Sequence, residues 1–155
     1  MKLIKEFQNR YDLEPDGLVG AKTFRRIVTA REAMLDELDV SSEKNFIICG
    51  GRKTKINWPK VVNMESSNAL ILPKNCYRHG RPKDPTMIVT HFDVCLSAKS
   101  CFNVLSRRGI SSHFVIDNDG TIYQMMDTKD EGWHAGNRRV NRASIGIDIS
   151  NAFYT

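Results

Sequence analysis

Residues 144–150 read SIGIDIS, with an isoleucine at every second position. Because side chains of a β-strand alternate between its two faces, this stretch predicts a strand with an isoleucine face and a polar face. Residues 86–94 read TMIVTHFDV and begin with apolar residues on both faces, as expected of a strand in a sheet covered on both sides. Together the two stretches predict the sheet around which the remaining elements are arranged.

A helix and a hairpin are predicted between these two strands. Apolar residues spaced at i, i+3, i+4 and i+7 predict a helix over 97–108, which Gly109 ends. An Asn-Asp-Gly turn at 118–120 predicts a hairpin of strands at 113–117 and 121–125. This order of elements predicts an α/β or α+β fold with a mixed central β-sheet flanked by helices.

Charge is distributed unevenly along the 155 residues, whose net charge is +5. Residues 1–40 carry seven Lys/Arg and eight Asp/Glu, whereas residues 41–155 carry sixteen and ten. A basic body suits an anionic polymer such as nucleic acid, acidic glycan or cell-wall phosphate, although a solvated basic surface is the simpler interpretation. With no arginine-rich run or aromatic nucleic-acid signature, nucleic acid is not an expected partner.

Membrane and secretion signals are not apparent. No stretch approaches the roughly 20 apolar residues that span a bilayer, so no membrane association is expected. The N-terminus, MKLIKE, becomes charged too soon for a secretory signal, and we therefore expect synthesis in the cytoplasm. The four cysteines include no CxxC pair and are expected to be reduced, with Cys101 as a small core residue on the apolar face of its helix.

Residues 1–29 predict a small helical module. A short amphipathic helix is followed by an Asp-Gly turn and a second helix. Residues 7–27, FQNRYDLEPDGLVGAKTFRRI, resemble the peptidoglycan-binding modules beside bacterial and phage wall hydrolases, without the helix that usually precedes them. A helical hairpin that only packs on the main body is the alternative. Residues 30–85 are expected to be an acidic helix and connection, then a linker and a basic, loop-rich lead-in.

Two histidines are candidates for chemistry from their context alone. His91 falls near the end of a predicted strand, where a histidine is more often a core or edge residue than a metal ligand. His134 lies in a Gly-Trp-His-Ala-Gly loop, where glycines allow close backbone approach and Trp133 offers a flat apolar wall. The loop is equally consistent with a tight turn around a half-buried tryptophan.

Three blocks make the C-terminal half recognisable: VTHFDV, SSHFVIDNDGTIYQ and GWHAGNRRVNRASIGIDISN. They resemble, in order and spacing, the zinc-dependent N-acetylmuramoyl-L-alanine amidases of the type 2 amidase and peptidoglycan-recognition family, with phage endolysins the nearest in character. The resemblance implies an amidase domain over 86–155 that binds peptidoglycan at the bacterial cell wall. It also implies Zn²⁺-dependent cleavage of the amide bond between N-acetylmuramic acid and L-alanine.

The resemblance also implies roles for single residues. His91 matches the first zinc ligand of the family. Asp148 matches a position where some members carry a catalytic Glu, one methylene longer. His134 and Asn141, with Trp133 beside them, match positions in the substrate groove. Ser112 stands where other members have a tyrosine near the zinc, and that role is not transferred.

The remaining zinc ligands of the family, a His and then an Asp or Cys, lie downstream of the SIGI strand. No residue after that strand fills these positions, so we expect the chain to be the N-terminal part of an amidase, inactive on its own. A site of His91, His113 and His134 is the rival assignment, although His113 is expected to be structural. The alternative function is a non-catalytic protein that recognises peptidoglycan through the same groove.

Overall fold

The computed structural model describes residues 2–36 and 45–150. The chain divides into two compact units, Met1–Val40 and Ser41–Tyr154. Within the described residues, no helix is both long and apolar enough to cross a membrane.

The first unit contains two helices, α1 (Lys2–Arg10) and α2 (Ala21–Asp36). The buried amide of Gln8 holds the turn between them, donating to Asp16 Oδ1 at 2.7 Å and Thr23 Oγ1 at 3.1 Å. Gly17, at φ 81°, supplies the positive φ of the predicted Asp-Gly turn and donates to Gln8 Oε1 at 2.9 Å. Unlike the prediction, the second helix and the acidic stretch after it form one continuous helix.

The second unit is built on a five-stranded sheet. Its strands are β3 (Val61–Val62), β5 (Met87–Asp93), β6 (Phe114–Ile116), β7 (Ile122–Gln124) and β9 (Ser144–Ser150), and they lie in the order β3-β7-β6-β9-β5. Strand β9 runs parallel to β5 and to β6, whereas β6 and β7 form the antiparallel hairpin predicted around the Asn-Asp-Gly turn. The predicted mixed sheet is confirmed.

The predicted helix between the strands is α3 (Ala98–Arg108). Ser97 caps its N-terminus, and Gly109 ends it at φ 65°, in the left-handed region. Its apolar face packs into the core around Leu72, Met125 and Met126. A second, short helix, α4 (Arg138–Ala143), leads directly into β9.

The expectation that β5 is covered on both faces is wrong for the described residues. Ile88 and Phe92 are 66% and 67% exposed, while His91 and Asp93 on the opposite face are half-buried and buried. β5 is the edge strand of the sheet, and within the part of the chain that the structure describes nothing covers its outer apolar face. Apolar residues on both faces therefore did not predict burial on both.

The segment before residue 86, which was predicted to be rich in loops, contains several short strands. Strands β1 (Phe46–Cys49) and β2 (Arg52–Lys55) form a hairpin, and β4 (Tyr77–Arg78) pairs with β8 (Glu131–Gly132). A 3-10 turn, Lys74–Cys76, precedes β4. Gln124 joins β1 to the domain as a strand would, because its amide accepts from Ile48 N and donates to Ile48 O, both at 2.7 Å.

Candidate active site

His91 and Asp148 lie side by side on the central sheet. The parallel register of β5 and β9 places His91 opposite Asp148, so both side chains emerge on the same face. This is the face of β9 that carries Ser144, Gly146, Asp148 and Ser150, all of them buried. The face with the isoleucines is the more exposed one, so the polar side of β9 faces the interior and forms the floor of the site.

The loop after β8 brings His134 onto this floor. Asn141 Oδ1 accepts hydrogen bonds from Ala135 N at 2.9 Å and from His134 N at 3.3 Å, which fixes the loop to α4. Gly146 leaves room for the ring, because a Cβ at this position would lie 2.6 Å from His134 Cγ. Asn141 is buried and faces the loop; its predicted contact with substrate stays a prediction.

A chain of hydrogen bonds determines which nitrogens of His134 and His91 carry protons. Ser144 Oγ donates to Val140 O at 2.7 Å, so it accepts from His134 Nε2, 3.1 Å away. His134 Nδ1 is then the acceptor for His91 Nε2 at 2.9 Å. A His91 ring that donates this bond from Nε2 and carries no second proton has its lone pair on Nδ1, the nitrogen able to bind a metal ion.

Burial keeps His134 neutral. Desolvation, assisted by His91 and the Arg81 guanidinium, lowers the pKa of His134 to about 4. A neutral ring at physiological pH is required for the hydrogen-bond chain described above, because a protonated His134 could not accept from His91.

Asp148 is a buried carboxyl group at the centre of the site. Burial raises its pKa, and the nearby Ser112 hydroxyl and His91 ring oppose part of this rise. Among the residues that the structure describes, Asp148 Oδ2 and Ser112 Oγ have no hydrogen-bond partner apart from their interaction with each other. Buried polar atoms are seldom left without full partners, so this pair beside His91 can accept a further polar group.

His113 lies beneath this site. Its ring is fully buried, with Nδ1 accepting from Gly146 N at 3.1 Å and Nε2 lying 3.0 Å from Asp130 O. Desolvation is the main cause that lowers its pKa to about 4. Both ring nitrogens are bound to main chain, so the geometry does not support the rival three-histidine metal site.

Arg81 is a residue of the site region that sequence reasoning missed. Its guanidinium donates to Asp130 O at 3.1 Å and to Ser144 O at 2.9 Å, which joins the segment before β8 to the start of β9. The residue lies in the stretch predicted as lead-in, and no motif there marks it. Trp133, by contrast, is 37% exposed beside His134, while its backbone N donates to Ser111 Oγ at 2.8 Å.

A separate group of possible metal ligands lies near the end of β5. Asp93, Cys95 and Cys101 place their ligand atoms within 4.8 Å of one another. The core position predicted for Cys101 is confirmed, as it is 3% exposed, but its closeness to a second thiol could not be foreseen from the spacing of the cysteines.

Known proteins resemble the part of the chain that carries the site. The family model described as N-acetylmuramoyl-L-alanine amidase matches residues 80–155. A Rickettsia conorii protein, whose name places it provisionally among these amidases, is 33% identical over 88 residues. That match covers 51% of this chain and 33% of the relative, so the chain spans about a third of the relative's length.

Solved structures give weaker likenesses. The catalytic domain of XlyA is 32% identical with a TM-score of 0.47, covering 61% of this chain and 63% of that one. A mutant endolysin from Bacillus subtilis is 28% identical with a TM-score of 0.45, covering 60% and 62%. At these scores the likenesses add no argument about fold or mechanism. The sequence match and the order of its motifs decide the assignment of this part of the chain: residues 80–155 form a segment of the N-acetylmuramoyl-L-alanine amidase family.

Proposed function

We propose that this protein hydrolyses the amide bond between N-acetylmuramic acid and L-alanine in bacterial peptidoglycan. The observation that carries the proposal is the pairing of His91 with Asp148, with His134 2.9 Å from His91, inside a segment of the amidase family. A histidine beside a buried carboxyl group combines a candidate metal ligand with a candidate proton-transfer group.

We further propose that the activity depends on Zn²⁺ and that His91 is one of its ligands. The imidazole of His91 and the buried carboxyl group of Asp148, which are register neighbours on one face of the sheet, supply nitrogen and oxygen donors that suit a Zn²⁺ ion. When bound, the ion would supply Lewis-acid polarisation of the substrate carbonyl. A catalytic zinc has about three protein ligands, and within the described residues His91 is the one that this assignment identifies.

The other residues of the site would act on the substrate and on its proton. Asp148 would take the proton of the attacking water as carboxylate and return it to the departing amine as the acid; its raised pKa suits the second role. His134 would orient His91 and contact the substrate, and the exposed part of Trp133 would form an apolar wall of the groove. Asn141 would hold the loop that carries His134 and Trp133.

The bond that is cut tests the proposal directly. Purified peptidoglycan incubated with the protein should gain free amino groups that dye labelling and hydrolysis identify as L-alanine. A chelator should suppress this release and added Zn²⁺ restore it, because the Lewis acid would be removed and returned. New reducing sugar ends would instead identify a glycosidase and contradict the assignment.

Recognition without hydrolysis is the second candidate function. It is favoured by the single zinc ligand that can be assigned within the described residues. Under this alternative, the same groove binds peptidoglycan stems and the protein sediments with cell walls while releasing no L-alanine termini, with or without Zn²⁺.

We also propose that the first unit binds the bacterial cell wall, as in phage or prophage lysis proteins. Its exposed apolar side chains support this role, with Leu3 80% and Phe24 60% exposed. Removal of residues 1–40 should reduce the fraction of protein that sediments with cell walls while leaving cleavage of a soluble muropeptide within about twofold. The deletion ends after α2, because a deletion that ended at residue 29 would divide this helix.

Equal loss of wall binding and of muropeptide cleavage would contradict a separate binding unit. A matched control is Gln8→Leu, which removes the amide that holds the turn of this unit and leaves the second unit unchanged. It should weaken sedimentation with walls in the same direction as the deletion.

A further inference from the structure

Three potential metal ligands from neighbouring segments meet where β5 ends. Asp93 is the last residue of β5, Cys95 follows in the connection, and Cys101 lies near the start of α3. Their ligand atoms all lie within 4.8 Å of one another. We propose that these three side chains form a binding site for a thiophilic divalent cation of the zinc class, distinct from the ligand position of His91.

The three side chains are held in place by the backbone around them. Cys95 N donates to Asp93 Oδ1, and Ser150 Oγ lies 3.4 Å from Asp93 Oδ2, so the carboxylate is oriented from β9 as well. Ser97 caps α3, and Cys101 N donates to Ser97 O at 3.0 Å. A helix and a paired strand thus present the ligands, and little order has to be gained when a cation binds.

The donor set selects the class of cation. Two thiol sulfurs and one carboxylate favour Zn²⁺ or Cd²⁺ over Mg²⁺ and Ca²⁺, which prefer oxygen ligands. Zinc bonds of about 2.3 Å to sulfur and about 2.0–2.2 Å to oxygen place tetrahedral ligands roughly 3.5–3.8 Å apart. Side-chain movements of about an ångström would therefore bring the observed group to bonding geometry, with a water molecule as fourth ligand.

The surroundings of the group favour a bound cation. Cys101 is 3% exposed and Asp93 is 9% exposed, so two thiols and a carboxylate share a largely dehydrated space. A bound cation would pair with the buried carboxyl group of Asp93 in this space.

The position of the site indicates what it would do. It joins the end of β5 to α3 two residues beyond His91, at the edge of the sheet. A cation there would brace the strand that presents His91 without taking part in hydrolysis. The inference goes beyond the proposed amidase function and does not depend on it.

Cadmium binding to the reduced chain tests the proposal. Titration of residues 1–155 with Cd²⁺ should produce thiolate-to-cadmium charge-transfer absorption that saturates at about one equivalent and raises the melting temperature. Cys95→Ser should remove about half of this absorption, because the Cys101 thiolate remains, and should weaken binding by more than about tenfold, since even residues outside the ligand set typically change metal affinity by that factor. Asp93→Asn should weaken binding in the same direction. Cys49→Ser, at an exposed thiol outside the group, is the matched control and should bind as the wild type does.

The controls also separate this site from His91 and from simple oxidation. His91→Ala should leave the charge-transfer absorption unchanged; its loss in that variant, with full retention in Cys95→Ser, would overturn the proposal. So would a reduced chain that binds no Cd²⁺ and re-forms a Cys95–Cys101 disulfide, seen as a mass lower by two hydrogens. Cys95 is only partly buried, so Cys95→Ser decides the matter even if a change at buried Cys101 prevents folding.

Discussion

In an amidase that holds its full set of zinc ligands, Asp148→Asn is expected to lower the rate of amide hydrolysis by about 10²–10⁴-fold, the usual contribution of a positioned acid or base. Asparagine keeps the size of the side chain and can still fill the space beside His91, but it cannot carry the proton. Sedimentation with peptidoglycan should stay unchanged, because the groove keeps its shape. Release of L-alanine termini from purified peptidoglycan, measured at saturating substrate, gives the rate.

Asp148→Glu is the matched control for this prediction. The resemblance places a Glu here in some amidases, and the longer side chain keeps the carboxyl group. Hydrolysis by this variant should therefore remain within about tenfold of the wild type, whereas a structural role for Asp148 would make the larger Glu the more damaging change. An Asn variant that hydrolyses as fast as the wild type would exclude Asp148 from proton transfer.

Local patterns predicted most of the sheet because they depend on neighbours in the chain. The alternation in SIGIDIS gave the two faces of β9, and the Asn-Asp-Gly turn gave the β6–β7 hairpin. The helix α3 followed from its apolar spacing and from Gly109. Each of these signals lies within about ten residues and needs no knowledge of distant contacts.

Features that depend on distant partners could not be predicted in the same way. Val61–Val62 is too short to be recognised as a strand, and it forms β3 only because β7 pairs with it. The exposed face of β5 reflects the position of that strand at the edge of the sheet. Pairing between residues far apart in the sequence leaves no trace in the local pattern. The apolar run of β5 therefore predicted burial on both faces, although its outer face is exposed.

In the candidate site, too, local motifs predicted some features, and others depend on distant contacts. His91, His134 and Asp148 were named because motif resemblance marks them, and the register of β5 and β9 then explains why the first and last are neighbours. The role of Ser144 in setting the protons of two histidines rests on its hydroxyl, which donates to Val140 O and accepts from His134 Nε2. Such a chain is visible only once the backbone has brought its members together.

Arg81 has the largest predicted effect on folding. Its guanidinium supplies donors to the main-chain oxygens of Asp130 and Ser144, and charged hydrogen bonds of this kind are worth about 1.5–3 kcal/mol each. We expect Arg81→Ala to lower the free energy of unfolding by about 2–3 kcal/mol, allowing for its partial exposure and for water that reaches the freed carbonyls. Urea unfolding, followed by circular dichroism, measures the change.

Arg78→Ala is the matched control, since Arg78 is an exposed arginine on the same segment. This variant should change the free energy of unfolding by less than about 0.5 kcal/mol.

A pH series adds a readout specific to the contact between Arg81 and His113. The pKa of buried His113 is lowered to about 4, below the ordinary value of about 6.5, so its contribution to stability is present above about pH 6.5 and is lost as the pH falls toward 4. The charge of Arg81 is one cause of that lowering, so in Arg81→Ala the pKa of His113 should rise and the acid-induced loss should become smaller. An Arg81→Ala protein that is as stable as the wild type, with the same loss in acid, would show that this guanidinium neither joins the two segments nor acts on His113.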